Sequence, residues 1–108
     1  MPIISQFYGI IVTMYYNEEN GKHNKPHIQA RYNNAKMVYD FECNIIEGSI
    51  PYKQKKMVEA WIITHKEELI NLWNIMQEGE GYFKIDPLKG NNNEKLYNTR
   101  YNRSRSKR

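Results

Sequence analysis

From residue 27 the chain alternates: Ile28, Ala30 and Tyr32 fall on one side of an extended strand, and His27, Gln29 and Arg31 on the other. Residues 35–43 alternate again, with Ala35, Met37, Tyr39, Phe41 and Cys43 set against Lys36, Val38, Asp40 and Glu42. Asn33-Asn34 between them suits a two-residue turn, because asparagine tolerates positive φ. A hairpin closed there sets Tyr32 opposite Ala35, Ala30 opposite Met37 and Ile28 opposite Tyr39, so the apolar partners share one side. The other side pairs His27 with Asp40, Gln29 with Val38 and Arg31 with Lys36, and is expected to be the polar outer face.

Around this hairpin the pattern predicts further elements. Residues 7–16 (FYGIIVTMYY) are β-branched and aromatic and read as one strand covered on both faces. Residues 17–25 (NEENGKHNK) read as a loop, and Ile45-Ile46 as a short further strand. Pro51 suits the first turn of a helix. From there Met57, Val58, Trp61, Ile62, His65, Leu69, Leu72, Trp73 and Met76 follow a 3.6-residue stripe. Thr64 to Glu67 fits a capping box, so two helices are expected to meet near Thr64, and Gly79 suits the end of the second. Residues 82–88 (YFKIDPL) should fold back onto the body in extended form. The expected fold is α+β: a small antiparallel sheet of three to five strands with two helices packed on one face. Residues 1–88 form the compact domain, and 89–108 a basic, intrinsically flexible tail. A sheet this small leaves an edge exposed, which makes a homodimer one expectation.

Charge changes the picture. The net +4 divides unevenly: residues 1–88 hold nine basic and eleven acidic residues (net −2), while 89–108 hold seven basic and one acidic (net +6). The tail therefore carries the nucleic-acid signal. Lys95, Arg100, Arg103, Arg105, Lys107 and Arg108 interleave with Tyr97 and Tyr101. Arginine forks suit phosphates and tyrosines stack on unpaired bases, the combination used by single-strand and RNA binders. A solubilising tail is the plainer alternative. No apolar run is long enough to span a bilayer, and MPIISQFYG lacks the basic start of a secretory leader. The single cysteine, Cys43, fits a reducing, cytoplasmic setting.

Candidate chemistry is sparse. Pro26 excludes a helical His23/His27 pair, because proline cannot lie inside a helix. His27 opposite Asp40 permits two readings: a carboxylate-oriented general base assisted by Arg31, or a structural cross-strand pair. Arg31 opposite Lys36 is a like-charge pair that an anionic partner surface would relieve. No metal or other cofactor is expected, since Gln29 is a poor zinc ligand. His65 is expected to be buried and bonded to backbone, and Cys43 to be inert.

The pieces ISQFYGIIVTMYY, HNKPHIQARY, EGSIP, WIITHKEEL with a following LW, and YFKIDPL stand in order over roughly residues 3–88. Together they resemble a family of small bacterial proteins known as domain of unknown function 4160. The resemblance implies a cytoplasmic protein from toxin–antitoxin-like gene pairs in mobile or defence loci. Where that family usually shows His-x-His, this chain reads His27-Ile28-Gln29, and the tail after Leu88 lies outside the family pattern. The leading expectation is a non-enzymatic accessory protein of a defence-type system. It would dock on a protein partner (a cognate toxin or antitoxin, or a CRISPR effector nuclease), with the tail on DNA or RNA. The rivals are a metal-independent RNA-cleaving toxin using His27 and Asp40, and an antitoxin that covers a toxin's site.

Overall fold

The computed structural model describes residues 2–15 and 25–89. Five strands, β1 (Ile3–Phe7), β2 (Ile10–Thr13), β3 (His27–Tyr32), β4 (Ala35–Asp40) and β5 (Ile45–Ser49), form one antiparallel meander in sequence order. Two helices follow, α1 (Tyr52–Thr64) and α2 (Lys66–Gln77). The expected α+β architecture is therefore present, with five strands.

The β3–β4 register is the one the alternation predicts, pair for pair from His27↔Asp40 to Tyr32↔Ala35. Asn33 takes φ 54 in the connecting turn, the left-handed conformation that asparagine accommodates. The apolar side of this hairpin (Ile28, Ala30, Met37, Tyr39) joins Ile10 and Val12 of β2 in a single core. Val58, Trp61 and Ile62 of α1 and Leu69, Leu72 and Met76 of α2 close that core.

The predicted strand over 7–16 is two strands instead. Tyr8 and Gly9 both take positive φ (50 and 80), and the chain reverses there, so that Phe7 pairs with Ile10. The register shifts between Ile3 and Ser5, a bulge that leaves both Ile4 and Ser5 buried. The strand predicted over 35–43 also stops early, at Asp40. Residues 41–43 turn, and Cys43 sits at φ 68.

Helix ends show what sequence motifs can and cannot fix. The two helices do meet at Thr64, but Thr64 does not cap α2: its hydroxyl donates to the Ala60 carbonyl at 2.9 Å. His65 is the shared cap, donating its N–H to the Trp61 carbonyl at 3.0 Å. At the other end Gly79 (φ 72) completes a Schellman motif. Its N–H bonds to the Met76 carbonyl and the Glu80 N–H to the Ile75 carbonyl, both at 3.1 Å. The chain then folds back onto the body as expected, and does so along β1. The Ile85 N–H donates to the Ile4 carbonyl at 2.8 Å, and the Trp61 indole N–H to the Asp86 carbonyl at 2.8 Å, while Ile85 enters the core. This strap covers the β1 edge, so β5 is the exposed edge of the sheet.

Candidate functional site

Asp40 ends β4, where the chain must turn before β5. Its carboxylate organises that turn. Oδ1 accepts the N–H groups of Glu42 (2.9 Å) and Asn44 (2.8 Å), while Oδ2 accepts the Asn44 amide (3.0 Å) and the Lys25 ammonium (3.1 Å). Four donors converge on a side chain that is only 2% exposed. Burial alone would raise its pKa. The bonds from Asn44, Lys25 and Glu42 outweigh burial and hold the carboxyl below its ordinary value.

His27 is Asp40's register partner, as the hairpin predicts, but it is not on an outer polar face. It is 2% exposed, and its ring centroid lies 5.4 Å from that of Trp73 on α2. Its Nδ1 stands 2.8 Å from the Lys25 carbonyl. A carbonyl only accepts, so Nδ1 carries the proton in this bond. Lys25 therefore ties both residues, with its carbonyl to His27 and its ammonium to Asp40. A general base needs an orienting carboxylate and access to substrate. Here backbone orients the imidazole, the carboxylate is engaged by a turn, and both side chains are buried. The geometry gives His27 and Asp40 structural work at the end of the sheet.

Other polar groups are similarly engaged. Tyr39, fully buried, donates its hydroxyl to Glu59 of α1 at 3.0 Å, and burial together with that bond pushes its pKa up. Burial would raise the Glu59 pKa, but bonds from Lys55 (3.0 Å), Tyr39 and Lys56 (3.4 Å) hold it below the ordinary value. Cys43 donates its thiol to the Glu59 carbonyl, and burial, with Glu59, Asp40 and Glu42 nearby, raises its pKa away from thiolate chemistry. His65 is mostly buried, yet its imidazole bonds to the Glu68 carboxylate rather than to backbone, with its ring 5.6 Å from Trp61. The neighbouring helix turn supplies the nearer partner. Among the described residues, no three His, Cys, Asp or Glu side chains converge as metal ligands.

Arg31 and Lys36 contrast with all of these. They are cross-strand partners, both exposed, and neither forms an ion pair with another described residue. They stand in a row that runs across the sheet from Gln6 through Ile11, Arg31 and Lys36 to Ser49, and that row contains no acid. Like charges placed directly opposite cost stability. An anion bridging them would remove that cost. Alternation alone finds this pair but misses Lys25, whose role depends on a register set far from it. The basic residues Lys95, Arg100, Arg103, Arg105, Lys107 and Arg108, with Tyr97 and Tyr101 between them, lie outside the described residues, as does His23.

Among the described residues no helix is long and apolar enough to cross a membrane. The family model described as Domain of unknown function (DUF4160) matches residues 9–74, more than half of the chain. The match holds β2 through β5, α1 and most of α2, and with them His27, Asp40, Arg31 and Lys36. No curated protein and no solved structure matches the chain.

Proposed function

The chain belongs to the DUF4160 family, and from that premise we propose that it is a non-enzymatic interaction protein whose exposed cations contact nucleic acid within a larger complex. One observation carries the reading. Arg31 and Lys36 are held side by side, exposed, with no ion-pair partner among the described residues, while His27, Asp40, Tyr39 and Cys43 are engaged in holding the fold. The basic run from Lys95 to Arg108 supplies further charge of the same sign. A protein partner, a second copy included, and a defence-type setting complete the proposal, the setting by way of the family resemblance.

Phosphate contacts leave a signature in salt, because each one releases counterions. Deleting residues 89–108 should weaken oligonucleotide binding and flatten the plot of log affinity against log salt. The slope should shrink by about 0.7–0.9 for every phosphate that this segment neutralises. Every core residue named above lies before Lys89, so the shortened chain keeps its core. A truncated protein that binds as tightly as the full chain at low salt, with the same slope, would contradict the role given to that segment.

A further inference from the structure

We infer that the turn end of the sheet is a platform for single-stranded nucleic acid, on which Tyr8 and Tyr52 stack bases either side of the Arg31/Lys36 pair. The inference rests on the reading of that pair as an anion contact, and adds the ligand class and two residues.

The meander brings these residues to one end. The β1–β2 turn at Tyr8-Gly9 lies beside the β3–β4 turn, because Ile10 pairs with Tyr32. Lys36 pairs with Ser49, and the chain leaves β5 at that same end to begin α1 at Tyr52. Taken strand by strand across this end the order is Tyr8, Arg31, Lys36, Tyr52; the basic pair lies on the face turned away from the helices and Tyr52 opens the helix layer, so a bound strand would cross the rim of the sheet between them. Strands spaced about 4.8 Å apart make the five-stranded sheet about 19 Å wide. A stacked strand rises about 3.4 Å per nucleotide, so the platform suits at most about six nucleotides.

Tyr8 gives the independent sign. It holds φ 50, a conformation that bulky residues avoid and that the turn would grant more readily to asparagine or glycine. No directional contact repays this strain. The side chain is 51% exposed, and it makes no ring contact or hydrogen bond with another described residue. Backbone strain spent on presenting an aromatic ring to water marks a binding residue. Tyr52 is 72% exposed; the Lys56 ammonium, paired with Glu59, lies over one face of its ring at 5.4 Å from the centroid, which leaves the other face for a base. Bases stack on aromatic faces only when unpaired, and arginine and lysine beside them meet the phosphates. This pattern favours a single strand over a duplex.

The test uses the full chain and a labelled oligothymidylate of about 12 nucleotides, within the range of single-strand sites, against a duplex of equal length. The expected result is tighter binding to the single strand. Tyr8→Asn and Tyr52→Ala should each weaken it by about tenfold while leaving the salt slope unchanged, since a stacking contact releases no counterions. Tyr8→Phe should bind as the parent does. Tyr8→Asn should unfold at no lower denaturant concentration, because asparagine suits the left-handed turn. Tyrosine variants that bind like the parent, or a preference for duplex, overturn the platform while leaving the basic pair as an anion contact. No binding to either oligonucleotide at low salt removes both.

Discussion

Asp40→Ala is expected to destabilise the fold by about 3–5 kcal/mol, read as a lowered midpoint in urea. The size follows from what the substitution leaves behind. Two backbone N–H groups, of Glu42 and Asn44, lose a charged acceptor, as do the Asn44 amide and the Lys25 ammonium. Hydrogen bonds to a charged group are worth about 1.5–3 kcal/mol each, and the solvent-facing lysine adds little. Asp40→Asn keeps one oxygen acceptor and should lose less. The pH dependence has a definite sign. The native pKa of Asp40 lies below its unfolded value, which is about 3.9. Its contribution is thus fully present above about pH 4 and is lost as pH falls through the native pKa. Glu59 is lowered too and acts in the same direction. Asp40→Asn should therefore flatten part of the acid limb of the stability curve. An Asp40→Ala protein as stable as the parent would show that the turn does not depend on this carboxylate.

The second large effect is expected at Gly48. A Cβ there would lie 2.3 Å from the Lys36 carbonyl oxygen and 3.2 Å from Met37 Cα, and the residue sits at φ 82. Backbone cannot yield as a flexible side chain can, so β5 must lift away from β4. Gly48→Ala should cost about 2–4 kcal/mol, of which the left-handed conformation accounts for about 1–2. Gly79 provides the control. It takes φ 72 but has nothing within 4 Å of its Cβ position, so Gly79→Ala should cost only the conformational part, about 1–2 kcal/mol. Equal losses at the two sites, measured as urea midpoints, would contradict a steric role for the β4–β5 bulge.

The β3–β4 hairpin is legible in the sequence because three signals agree there. Residues 27–32 and 35–40 alternate, Asn33-Asn34 suits the turn, and the register that this turn sets puts the apolar sides together. β1 is illegible for the opposite reason. Its bulge buries Ile4 and Ser5 in succession, which destroys the alternation. The turn after it uses Tyr8, a residue that local preference steers away from φ 50, so the apolar run from Phe7 to Thr13 reads as continuous. Where a local rule is broken without repayment in directional contacts, function is the natural place to look. The burial of His27 is hidden by distance. The pairing with Asp40 can be read, but Trp73 reaches the ring from a helix whose placement no local pattern supplies. Asp40 likewise resembles one half of a dyad, because the turn that it organises spans residues whose alternation reads as strand.

His27 and Asp40 thus hold the sheet end together, while the contact surface proposed for the protein is Arg31 with Lys36. This division is tested most directly by oligonucleotide binding across a salt series with the full chain and an Arg31→Ser/Lys36→Ser variant. Each phosphate neutralised on a single strand adds about 0.7 to the slope of log affinity against log salt, so removing both cations should flatten it by about 1.4. The unfolding midpoint should stay where it is, or rise slightly as the like-charge pair disappears. A slope unchanged by the double substitution would contradict the account, and so would weaker binding that merely follows weaker stability.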